Sequence, residues 1–251
     1  MSDDDYDPAA DNALYFALLA RFDNIFQSFK NSSEISVELL SVIKSNSKTE
    51  DAAGDVSEAL ASSVFDYVKA SPLHVDSLVV AIKSLLDMDD AQSIVITGEY
   101  GTNPLTDLLS MQLGDFLNDH LHESQLHTPK RTEIAASNLT LSAALFSASA
   151  VKNRLLGGSG TCAFARQGLQ LPDAREEQER KEVVALGACL QLSVAGATMM
   201  ERWLGKSDGQ EAVVQALKGL KDRGVVTTSG GLHLLDVSGP PFSQSREFTF
   251  L

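Results

Sequence analysis

Apolar residues along this chain recur at spacings of three and four, the repeat of amphipathic helices rather than of half-buried strands. Leu14, Leu18, Phe22, Ile25 and Phe29 form one such face. They predict a long first helix opening at Asp7-Pro8, a capping residue followed by proline at the first helical position. A shorter helix is expected after Ser33, with Val37, Leu40 and Ile43 inward. Residues 46–54 are polar and read as a loop. Asp55 and Glu58 then have capping-box spacing for a third helix carrying Leu60, Val64, Tyr67 and Val68. Ser71-Pro72 ends it, because the residue before proline avoids helical backbone. Val75, Leu78, Val79, Ile82, Leu85 and Leu86 form the cleanest stripe in the chain. The β-branched run 93–97 interrupts the pattern, as a short buried extended segment or as a helix end. Asn103-Pro104 restarts a helix with Leu105, Leu109, Leu113, Phe116, Leu117 and Leu121 inward.

Two later segments lack a polar side. Residues 134–155 are rich in Ala, Ser and Leu, and residues 183–200 contain no charge at all. A helix apolar on nearly every side must be surrounded by protein or by lipid. The second segment has the length of a membrane span, but Gln191, Ser193 and Thr198 interrupt it and dense charge precedes it at 175–182. It is therefore expected to be the central buried helix of the fold, with Ala195-Gly196 marking a close helix crossing. Gly157, Gly158 and Gly160 form a connector, a short helix covers 161–170, and another begins at Asp208 with Val213, Val214, Leu217 and Leu220. Residues 225–235 read as a β-hairpin around 229–231. The predicted architecture is a single all-α globular domain of about nine or ten helices over 8–223. An acidic disordered leader (1–7) precedes it, and a hairpin-like segment with an irregular tail (224–251) follows.

Charge narrows the function classes. A formal net charge of −14 repels phosphate backbones and anionic lipid headgroups, so neither nucleic acid nor membrane is an expected partner. The acidic N-terminus has no positive region followed by an apolar one, which points to the cytoplasm or nucleus. Cys162 and Cys189 would be reduced there.

Candidate chemistry is sparse. Asp115, Asp119, His122 and Glu123 share helical spacing, with His120 and His127 nearby, but His120 and His122 do not share a face. A solvated helix end accounts for them, and no metal or cofactor is expected. Lys152, Arg154 and Arg166 are rare cations beside apolar segments. If turned inward, each would have to meet a carboxylate or an anionic ligand; structural pairing is the favoured outcome. Asn138 is either an N-cap or a polar group of a site. The speculative ligand-binding set is thus Asn138, Arg154 and Arg166. The Gly157–Gly160 stretch lacks the lysine and preceding strand of a phosphate loop, and no nucleophile elbow or Ser/His/Asp order occurs. Residues 213–235 could form half a winged helix, but Lys218, Lys221 and Arg223 are too few cations for DNA.

Three segments together resemble a fungal family of uncharacterised all-helical proteins, domain of unknown function 3632. Asn138-Leu139 is similar to that family's asparagine-leucine motif opening a buried helix. Arg166 and Leu169 fall in register with a second motif, and Ala188 with Ala195-Gly196 resembles a third. The chain departs from the family by carrying Gln191 where a tryptophan is usual and by lacking a tryptophan-rich C-terminal helix. The resemblance implies an all-helical fold and carries over no catalytic residue. The expected function is a protein-interaction or scaffold module with a protein partner, leaning against an enzyme. The alternative is a small-molecule binder or non-redox enzyme with an apolar pocket between the buried helices.

Overall fold

In the computed structural model, residues 12–28, 31–98, 101–123, 133–169, 178–199 and 208–238 are described, and the chain is all-α. Among them are eleven α-helices: α1 (Ala13–Gln27), α2 (Ser32–Asn46), α3 (Glu50–Ala70), α4 (Val75–Leu86), α5 (Asp89–Gln92), α6 (Leu105–Glu123), α7 (Glu133–Lys152), α8 (Ser159–Leu169), α9 (Gln178–Met199), α10 (Asp208–Asp222) and α11 (Ser229–Val237). A 3-10 turn, Pro72–His74, links α3 to α4. Strands β1 (Val95–Gly98) and β2 (Gly101–Pro104) form one antiparallel ribbon, with Val95 opposite Pro104 and Gly98 opposite Gly101. The run 93–97 is thus a helix end at Ser93, with helical backbone closing α5, and extended from Val95, which is exposed rather than buried. The Asp7-Pro8 helix start, the leader and the C-terminal tail beyond residue 238 lie outside the described residues.

The chain divides into two compact units, residues 1–67 with 80–116, and residues 68–79 with 117–251. In the first unit α1 buries Leu18, Phe22, Ile25 and Phe26, while α2 buries Ile35, Leu39, Leu40, Val42 and Ile43. Val37 was expected inward and is instead exposed: it falls on the face opposite Leu39 and Ile35, the pair that packs. Asn31 caps α2 by accepting from the Glu34 N–H at 2.9 Å. Helix α3 starts at Glu50, five residues before the expected Asp55. Thr49 opens it, its hydroxyl accepting from the Ala52 N–H at 3.3 Å, and Ala53 is fully buried. The supposed loop was misread because its first turn is acidic and polar, as helix starts tend to be. Phe65 stacks on Phe116, ring centroids 5.4 Å apart, and the buried Ser36 hydroxyl reaches the Ala81 carbonyl at 2.8 Å.

In the second unit the two apolar stretches fall on α7 and α9, and the burial of their described side chains follows the prediction. Residues 142–151 of α7 are buried at every position. Ala185, Ala188, Cys189, Leu190, Leu192 and Ala195 of α9 are buried too. Close approach is made possible by glycine. A Cβ on Gly187 would lie 2.9 Å from Phe164 Cε1 and 3.4 Å from Ala144 Cβ. One on Gly168 would lie 2.6 Å from Ala188 Cβ and 2.7 Å from the Val184 carbonyl oxygen. Gly168 and Gly187 therefore mark close contacts in this layer, and Ala195, expected at a close crossing, is buried.

The predicted hairpin at 225–235 is corrected: residues 229–237 are the helix α11. Val225 and Val226 are buried in the non-helical approach to it. Thr228 then caps the helix, its hydroxyl accepting from the Gly231 N–H at 3.3 Å. The glycine pair that suggested a tight turn occupies the first helical turn instead.

Candidate functional site

Asn138 is the sixth residue of α7, so it cannot be the cap of that helix: the backbone is already helical from Glu133. Its side chain lies outside the described residues. Arg154 and Arg166 are both exposed, which removes the premise that inward-turned guanidinium groups enclose an anion. Arg154 closes α7 in the left-handed conformation, φ +61°. Around it Leu155 N–H donates to the Ala150 carbonyl at 2.8 Å and Arg154 N–H to Val151 at 3.2 Å. That bond pair is the Schellman closure, normally built on glycine. Lys152 meets Asp76 at 3.0 Å in an exposed pair.

Asp76, in the first turn of α4, is the centre of a small polar cluster. The buried Ser149 hydroxyl donates to its Oδ1, Lys152 Nζ to its Oδ2, and Asn153 Nδ2 donates to Ser149 Oγ at 3.3 Å. Burial pushes the Asp76 carboxyl up, but the hydrogen bonds from Ser149 and Lys152 and the Lys152 charge outweigh it and leave the group below its ordinary value. Ser149 is fully buried and its proton is engaged, so it is no accessible nucleophile.

Two further buried polar groups were not singled out as site residues from sequence. Gln191, in the middle of α9, is fully buried; its Nε2 donates to Ser147 Oγ of α7 at 2.8 Å. Ser147 passes its own proton to the Ala144 carbonyl at 2.9 Å. Gln191 Oε1 is left without a donor. In an apolar core such an orphaned acceptor costs about 1–3 kcal/mol. The only sequence signal was a lone amide in an uncharged run.

Glu182, near the start of α9, is the second. Its Oε1 accepts from the N–H groups of Thr227 (3.0 Å) and Thr228 (2.9 Å) and from the Thr228 hydroxyl (2.8 Å). Its Oε2 accepts from the Thr227 hydroxyl at 2.8 Å. Four donors thus converge on one buried carboxylate at the N-terminus of α11, where the helix dipole also favours negative charge. Burial raises the Glu182 carboxyl, yet the Thr228 and Thr227 donors hold it below its ordinary value. No spacing rule joins a glutamate to a Thr-Thr pair 45 residues away; only folding does.

The cysteines are free and buried. Burial pushes the Cys189 thiol up to about 12, against an opposing contact from Ser238, and it raises Cys162 more than the Arg166 charge lowers it. Both are poor nucleophiles in this state. Among the described residues no group of three or more His, Cys, Asp and Glu converges as a metal site. Several side chains of the Asp115–Glu123 candidate, including those of Asp119, His120 and His122, lie outside the described residues. One described helix, over Glu182–Met199, is long and apolar enough to cross a membrane, with 67% of that window buried in the fold. No family model, no curated protein and no solved structure matches the chain.

Proposed function

We propose that this protein is a non-enzymatic interaction module of the cytoplasm or nucleus, a diverged relative of the fungal all-helical family it resembles. The supporting observation is the contact between α7, α8 and α9. The alternative reading places a small-molecule site between the two buried helices, yet α8 approaches α9 until a single methyl group on Gly168 or Gly187 would collide, and a Cβ on Gly187 would already be in contact with Ala144 of α7. Ligand pockets of drug size need some 300–1,000 Å³. That close packing favours the outer helix faces as the binding surface, and Phe16 (63% exposed) and Leu73 (67% exposed) stand out on them as large apolar side chains. The acidic balance of −14 favours a basic protein partner over nucleic acid.

A second reading, binding of a small molecule, is favoured by one observation: the unsatisfied Gln191 Oε1 between α7 and α9 could accept from a ligand's hydroxyl or amide. One experiment separates the two. The full chain is purified from its native host and analysed by mass spectrometry for proteins and for retained small molecules. The interaction reading expects a stoichiometric protein partner whose recovery falls in Phe16→Asp or Leu73→Asp. A small molecule held at one equivalent, lost in Gln191→Leu, with no protein partner, would overturn it.

A further inference from the structure

We propose that α11 is a detachable strap, fastened along α9 by Glu182 at one end and by Ser238 at the other. The Glu182 carboxylate collects the four Thr227 and Thr228 donors at the start of α11. Ser238, the residue just past its end, donates to the Cys189 carbonyl at 3.0 Å while also touching Leu234 O at 2.6 Å. Residues 182 and 189 are met in the same order as 227–228 and 238, so the strap runs in the same direction as the helix it covers.

Between these two ends α11 is held by a few apolar side chains. It has nine residues, below the length at which a helix persists alone, and Gly230 and Gly231 in its first turn weaken it further. Its fully buried residues are Gly231 and Leu235, with Leu232 and Leu234 partly buried against the core. The Lys221–Asp236 pair at 3.0 Å is solvent-exposed and contributes little. The connection to α10 turns at Gly224, φ +64°, and is non-helical through 228. Short elements with few buried contacts open first, independently of global unfolding. What α11 covers is identifiable. Gly231 lies against Leu186, where a Cβ would come within 3.0 Å of Leu186 Cδ2, and Ser238 sits on Cys189. Cys189, fully buried, is thus a built-in reporter of strap release, and Cys162 on α8 is its internal control.

The test is the rate of maleimide labelling of the native full chain, mapped to each cysteine by mass spectrometry. Glu182→Gln and Glu182→Ala are expected to raise Cys189 labelling in that order, the second by about tenfold or more, because the donors lose a charged partner. Cys162 labelling should stay near its wild-type rate. Gly230→Ala introduces a methyl that meets nothing within 4 Å and strengthens the helix. It should slow Cys189 labelling by about fourfold. Equal rises at both cysteines mean global opening and overturn the proposal, as does Cys189 labelling unchanged in all three variants. If Glu182→Ala does not fold, the Gly230→Ala result decides alone: no slowing sinks the strap.

Discussion

Arg154 and Gly224 occupy the same structural position at the ends of two helices. Each has φ near +60°, and each is flanked by the paired closing bonds, Val225 N–H to Leu220 and Gly224 N–H to Lys221 at the second end. Glycine adopts that backbone freely, whereas an arginine there carries roughly 1–2 kcal/mol of strain. Arg154→Gly should therefore stabilise the protein by about 1 kcal/mol in urea denaturation, and Gly224→Ala should destabilise it by a similar amount. Helical glycines sort by neighbour. Gly168→Ala meets a backbone oxygen at 2.7 Å, and that atom cannot swing aside, so a loss of about 2–3 kcal/mol is expected. Gly114→Ala, in α6 with nothing within 4 Å, should gain about 0.5–1 kcal/mol. At the buried amide, Ser147→Ala would deprive Gln191 of its one partner and cost about 1–3 kcal/mol. Gln191→Leu removes the orphaned acceptor while Ser147 keeps the Ala144 carbonyl, so it is expected to be neutral or stabilising. Thermal and urea unfolding of the two single variants and the double variant measure this directly. Gly224 could be suspected from its residue type; Arg154 could not, because nothing in an arginine announces a left-handed backbone.

Among the elements, those with strong stripes were legible and those built by capping were not. The stripe Val75 to Leu86 matched α4 residue for residue because one face of it packs and the other does not. By contrast the starts of α3 and α11 rest on Thr49 and Thr228, hydroxyls whose role depends on where the backbone turns. The attachment of α11 also links stability to pH. Glu182 and Asp76 both have carboxyls held below their ordinary values of 4.5 and 3.8 by the donors around them. A depressed folded value means that the unfolded chain takes up protons first. The stabilisation is therefore present above about pH 4.5, erodes below it, and is gone once pH has fallen through the folded values. Urea titrations across pH 3–7 should show a steep acid limb in the wild type and a shallower one in Glu182→Gln. An identical slope in the two proteins would remove Glu182 from the account.

For the molecule as a whole, the dominant electrostatic term is self-repulsion. Thirty-four acidic groups face twenty basic ones, and ion pairs such as Lys44–Asp90 are exposed and individually weak. Adding sodium chloride from about 0.02 M to about 0.5 M shortens the screening length and should raise the melting temperature. A fall would mean that favourable pairs outweigh repulsion. Hydropathy also acts at this scale. The uncharged run 183–200 had to be covered by something, and its composition could not say by what. In the fold most of the described part is covered by α7, α8 and α11. Periodicity and composition by themselves determined that the chain is helical, which faces of most helices are apolar, and that two segments are enclosed, because these follow from local spacing and from the cost of exposing apolar surface. Only the tertiary structure decided that Glu182 meets Thr227 and Thr228, that Gln191 is left with one unanswered oxygen, and that Arg154 and Arg166 face solvent. Those outcomes join residues far apart in the chain, or depend on which of several similar faces wins the packing, and neither is encoded within a single turn of helix.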